Sequence, residues 1–158
     1  MRSQSGASDR DSLQSQQDRL LLFDLDRCHY AVRAAAVSGL AECGPVREVP
    51  GAPRAVLGLV EWRGHLLTVL DLPHLLGHAT SSGPAYVIRL APPLQGTSLF
   101  LPVNVRMSTL APLPVRRAQS AEPGAAETVE HEGRQIRLID PSTLLRRAER
   151  ELQEHRPA

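Results

Sequence analysis

Sliding residues 60–76 along the chain by sixty-nine positions lays them over a second, related stretch. Val60 meets Val129, Glu61 meets Glu130, Gly64 meets Gly133 and Asp71 meets Asp140. Val69-Leu70 meets Leu138-Ile139, and Leu75-Leu76 meets Leu144-Leu145. Both stretches read as strand, Gly turn, apolar strand, Asp, a nearby Pro and a short helix with paired leucines. A hairpin pattern precedes each copy, at 20–33 and again at 85–103. The pattern therefore demands two related β-rich halves, with copies at 58–77 and 127–145. In a chain of 158 residues neither half can bury a large core alone, so the two must pack together. Two small barrels or a two-part sandwich satisfy that pattern.

Local signals fill in the rest. Residues 1–18 are polar and read as a disordered tail. Strands are expected at 20–25 and 28–33 around a tight Asp26-Arg27 turn, and 34–40 as a short strand or helical turn. Pro45, Pro50, Gly51 and Pro53 punctuate a loop over 42–53. Strands at 58–62 and 65–72 flank Arg63-Gly64. Pro73 opens a short helix that Gly77 stops. Strands at 85–90 and 97–103 follow, and then a long irregular Pro- and Ala-rich connection over 108–126. The last hairpin, 127–130 and 135–139, turns at Glu132-Gly133. Asp140 then caps a helix begun by Pro141, with Leu144, Leu145, Ala148 and Leu152 on one face. The domain should span 19–146, and the helix end over 147–158 should fray.

Charge and composition exclude several functions. The formal net charge is +1 and aromatics are 3%, so there is no basic, stacking surface for nucleic acid. No apolar run approaches the roughly 20 residues that span a bilayer, and direct membrane insertion is not expected. Cys28 and Cys43 are the only cysteines, which suits a reducing cytoplasm. No Gly-rich phosphate loop, Ser-centred elbow or supported carboxylate pair appears, so the chain does not read as an enzyme. Adjacent strand residues face opposite ways, which opposes a Cys28-His29 catalytic pair. His65, His74 and His78 form the one cluster that tempts a metal reading, that of a small metal-binding protein or enzyme. Gly77 interrupts it and no further ligand is placed beside it, so neither metal nor cofactor is expected.

Arg63 stands out among the remaining residues. A hairpin turn needs its Gly but not an Arg, and a guanidinium at the tip can fork onto a carboxylate. The equivalent residue of the second copy is Glu132. Trp62, the only tryptophan, can serve either as a contact residue beside Arg63 or as core. Gly58 and Gly64 allow close approach or positive φ, as Gly133 does in the second copy. Asp71 and Asp140 read as helix caps. Leu57, Leu59, Val69 and Leu70 are the candidate core beneath the tip.

The first copy resembles a known family. Pro50-Gly51-Ala52-Pro53, Val56-Leu57-Gly58-Leu59-Val60, Arg63-Gly64, Val69-Leu70-Asp71-Leu72 and Leu75-Leu76-Gly77 are similar, in order and spacing, to the signature of CheW-like coupling domains. The resemblance covers about residues 20–145 and is strongest over 49–77. It implies two small intertwined five-stranded β-barrels, mainly β, with short helices. It also implies a non-enzymatic chemotaxis adaptor joining the cytoplasmic tip of a chemoreceptor to the regulatory domain of a CheA-type histidine kinase. The chain departs from the family pattern at Glu61, where Asn is usual, and at Thr68, where Pro is usual. Gly39 and Asn104 stand where the family carries acids. Partner contact is accordingly expected around Glu61, Trp62, Arg63, Gly39 and Asn104. The missing acids raise a second expectation, a one-sided adaptor that binds receptor but not kinase, or the reverse.

Overall fold

A computed structural model describes residues 19–79, 85–102, 107–110, 115–122 and 125–156, with only the backbone described between 107 and 126. The chain runs β1 (Leu20–Leu25), β2 (Cys28–Arg33), a 3-10 turn (Ala34–Ala36), β3 (Val37–Glu42), β4 (Val56–Trp62), β5 (His65–Asp71) and α1 (Leu72–Leu75). It continues through β6 (Ala85–Leu90), β7 (Thr97–Pro102), β8 (Met107–Leu110), β9 (Val115–Glu122), β10 (Ala125–His131), β11 (Arg134–Ile139) and α2 (Pro141–Glu154).

The strands form two sheets, ordered β8-β1-β2-β11-β10-β9 and β3-β6-β7-β5-β4. This ordering shows how the repeat is used. The β1–β2 hairpin precedes the first copy in sequence but lies beside β11 of the second copy. The β6–β7 hairpin lies beside β5 of the first. Both junctions are parallel, β2 with β11 and β5 with β7. The halves have thus exchanged hairpins, and neither sheet can be assembled from one half. The correspondence extends to an irregularity: the β4–β5 ladder shifts register between Val56 and Gly58, and the β10–β11 ladder shifts between Ala125 and Glu127.

The core has three parts. One lies between the sheets and draws on both halves: Phe23 and Tyr30 meet Leu70, Leu99, Ile139 and Leu144. The other two belong to single sheets, one around Val60, Val69, Val87 and Phe100, the other around Ala31, Val129, Ile136 and Leu138. Strand β7 is buried along its whole length because it separates two of these cores. Leu99 and Leu101 point to the shared core, and Phe100 to the sheet's own, as strand alternation requires.

Several expectations need correction. The stretch over 108–126 is not an irregular connection: β8 pairs with β1 and β9 with β10. These are edge strands, ordered by the ladder beside them, and the short polar-rich sequences MSTL and VRRAQSAE, set among prolines and alanines, do not announce them. Val69 and Leu70 are buried, but Leu57 and Leu59 are only half-buried, because Gly58 and Val60 take the inward positions of β4. Helix α2 is regular to Glu154, well past 147. It buries Leu144 and Ala148, while Leu152 is 53% exposed because the supporting core ends a turn earlier. Among the described residues no helix is long and apolar enough to cross a membrane.

Candidate functional site

The β4–β5 hairpin closes with Trp62 opposite His65, leaving a two-residue turn at Arg63-Gly64. Both residues have positive φ, 48° and 79°. That is what a type I′ turn requires, and it matches the right-handed twist of the flanking strands. Glu132 and Gly133 repeat the arrangement, with φ of 50° and 72°. The turn therefore asks for left-handed backbone twice. A non-glycine L-residue there costs on the order of 1 kcal/mol. Arg63 is not merely unneeded by the turn; it is disfavoured.

Trp62 is half-buried, and two guanidinium groups face its ring. That of Arg63 lies 5.4 Å from the ring centroid and that of Arg89 lies 4.3 Å from it. Arg89 comes from β6. It lies in an open groove of about 510 Å3 together with Ser38, Trp62, Arg63, His65 and Leu66. Ser38 is on one edge strand of the sheet and Trp62 on the other, so the sheet curls enough for its two edges to line one groove. Leu66 is 62% exposed at its rim.

Gly39 pairs with Arg89 in the β3–β6 ladder. A Cβ built on Gly39 would collide with the Arg89 guanidinium, which occupies the space of the missing side chain. Gly58 is required for a different reason. The 43–49 loop crosses β4 there, and Arg47 and Leu59 exchange backbone hydrogen bonds of 2.8 and 2.9 Å. A Cβ on Gly58 would strike the Arg47 carbonyl, and its φ is 145°. Glu61 is exposed on β4, opposite Leu66. Asn104 lies outside the described residues.

The remaining singled-out residues hold structure together. The Asp71 carboxylate accepts a 3.1 Å hydrogen bond from the His74 backbone N–H at the start of α1. Asp140 accepts 3.1 Å bonds from the Ser142 N–H and the Thr143 hydroxyl at the start of α2. The three histidines are not brought together. His65 is at the groove, His74 contacts Glu151 at 3.2 Å, and His78 bridges the Tyr30 hydroxyl at 2.7 Å and Asp26 at 2.8 Å. Among the described residues no group of three or more His, Cys, Asp or Glu is placed to hold a metal ion. Cys28 and Cys43 are free thiols, and burial pushes the Cys43 thiol up from its ordinary 9.0. Burial likewise raises the Tyr30 phenol from 10.0, with the Arg137 guanidinium partly opposing it.

Arg89 is the residue that sequence reasoning missed. Its one sequence signal is a lone cation in an otherwise apolar strand run, Ala85, Val87, Ile88 and Leu90.

Residues 19–149 match the family described as the CheW-like domain. The chain belongs to the CheW-like domain family. A solved structure agrees: the scaffolding protein TtCheW from Thermoanaerobacter tengcongensis is similar with a TM-score of 0.69 at 16% identity, over 81% of this chain and 87% of that one. No curated protein matches the sequence. The match shows that this CheW-like domain has the fold of that scaffold. Family membership brings with it the coarse role, a non-enzymatic scaffold in chemotaxis signalling.

Proposed function

We propose that this CheW-like protein is an adaptor that couples the cytoplasmic tip of a chemoreceptor to a CheA-type histidine kinase, with the Trp62–Arg63 groove as one docking face. The observation that carries the reading is the tip itself. A lone tryptophan and a disfavoured arginine share an open, partly apolar groove in a family of scaffolds. Trp and Arg are the residue types that dominate interface energetics when their contacts are desolvated. Glu61, exposed on β4 next to Trp62, and Gly39, opposite Arg89 in the β3–β6 ladder, are assigned to partner contact outside the groove lining, and Asn104 to a further contact. Affinity comes from the apolar rim, and Arg63 sets orientation.

Arg63→Glu tests the assignment cleanly, because Glu132 already occupies the equivalent turn position at φ 50°. The variant should melt within about 0.5 kcal/mol of the parent, as surface changes do, and lose binding. Separate pull-downs with a receptor-tip fragment and with the kinase regulatory domain provide the readout. Unchanged capture of both would remove Arg63 from the account.

A one-sided adaptor is the second reading. It is favoured by the Arg89 guanidinium occupying the place where the family pattern has an acid, at Gly39. Capture of both fragments by the parent protein would reject it.

A further inference from the structure

The groove contains more positive charge than its own chain neutralises. The Nε of Arg89 is buried from solvent and has no hydrogen-bond partner among the described residues. Buried polar atoms are nearly always paired, so an orphan on a charged group calls for a partner. Neither Arg63 nor Arg89 makes an ion pair among the described residues, and no Asp or Glu lines the groove. The protein carries a formal net charge of only +1, so the groove's cations do not reflect an overall excess of positive charge. The β3 strand could have supplied a carboxylate opposite Arg89, but it presents Gly39 there.

We infer that the groove is a carboxylate receptor: it takes a glutamate or aspartate side chain from an amphipathic segment of the docking protein, whose apolar neighbour covers Leu66. Charge complementarity selects the acid. A carboxylate can accept from the planar guanidinium of Arg89 while Trp62 supports that plane from the other side. Arg63 adds a second cation to the same ring. The apolar rim selects a peptide over a free anion, since inorganic phosphate has nothing to place on Leu66, which is 62% exposed. In this protein the acid that the ladder lacks at Gly39 arrives from outside, so docking itself completes the ion pair. The inference rests on the adaptor reading for the partner being a protein; the acid preference of the groove rests on its residues alone.

Trp62 is the only tryptophan, so its emission reports on the groove directly. Full-length protein is titrated with two synthetic amphipathic helical peptides, identical except that one carries Glu and the other Gln four residues from a Leu. The Glu peptide should shift the emission saturably and bind about tenfold more tightly than the Gln peptide, the worth of one charge-assisted hydrogen bond. Added salt should narrow that gap. Arg89→Gln should remove the preference. Gly39→Glu should also remove it by supplying the acid in cis, since the flexible guanidinium can give way to the new side chain. This variant tests the proposal independently should Arg89→Gln fail to fold. Equal binding of the two peptides, no binding of either, or an equal emission change with inorganic phosphate or single-stranded DNA would overturn the proposal. The adaptor reading stands or falls elsewhere, on capture of the receptor and kinase fragments. A Glu preference without such capture leaves the carboxylate site and removes its assigned partner. Capture without a Glu preference does the reverse.

Discussion

Arg63 adopts a backbone angle that a side chain disfavours, at φ 48°. Asparagine tolerates that region much better, and Asn-Gly is the preferred pair in such turns. Arg63→Asn should therefore raise stability by about 0.5–1 kcal/mol in urea titration while weakening partner capture. Loss of both would mean that the guanidinium holds the tip together through Trp62. Tyr30 gives a second residue-scale test. Its folded-state pKa is raised above the unfolded 10.0, chiefly by burial. The phenol's contribution to stability is thus complete below pH 10.0 and is lost as pH rises through the higher folded value. Tyr30→Phe should flatten that alkaline loss in melting experiments. At neutral pH it should cost about 1 kcal/mol for the lost bond to His78. At this scale the sequence was informative where the physics is local. Asp71 and Asp140 lie within three residues of the groups they cap, and Gly64 and Gly133 answer to a two-residue turn. Arg89 was hidden because its neighbours Gly39 and Trp62 arrive from strands fifty and twenty-seven residues earlier in the chain.

At the scale of elements, β4 shows how a crossing loop constrains a strand. Gly58→Ala would drive a methyl into the Arg47 carbonyl, a backbone atom that cannot swing aside, at a φ suited to glycine. The expected cost is roughly 2–4 kcal/mol, read as a lower urea midpoint with an unchanged slope. A loss under 0.5 kcal/mol would show that the 43–49 loop gives way freely. The hairpins that form around short turns were legible because alternation and turn chemistry both mark them. Strands β8 and β9 were not. Strand β8 takes its order from β1, beginning with Leu110 opposite Leu20, and no stretch of 108–126 advertises that distant partner. Helix α2 was legible at its cap and first turns, but the exposure of Leu152 depends on where a three-dimensional core stops.

The whole molecule depends on the hairpin exchange. The repeat in the sequence shows that the halves are alike, yet it says nothing of which hairpin joins which sheet. That choice is made by the parallel junctions, β2 with β11 and β5 with β7. Cutting the chain after residue 84 should therefore leave two hairpins and an orphan β3 in the first fragment, whose β3 pairs only with β6. Isolated hairpins are marginal in water, so 19–84 should not melt cooperatively alone, and mixing it with 85–158 should restore a transition. A cooperative melt of 19–84 by itself would contradict the shared sheets. The same exchange governs how the protein transmits a load. A hinge between the halves would have to open a hydrogen-bonded ladder, since no plane divides them without cutting a sheet. A push at the Trp62 tip passes from β4 through β5 into β7, and from the shared core to β11, without meeting a pivot. In mechanical terms the described sheets make a strut with no pivot between the halves, the geometry that an adaptor holding two partners at a fixed spacing would need.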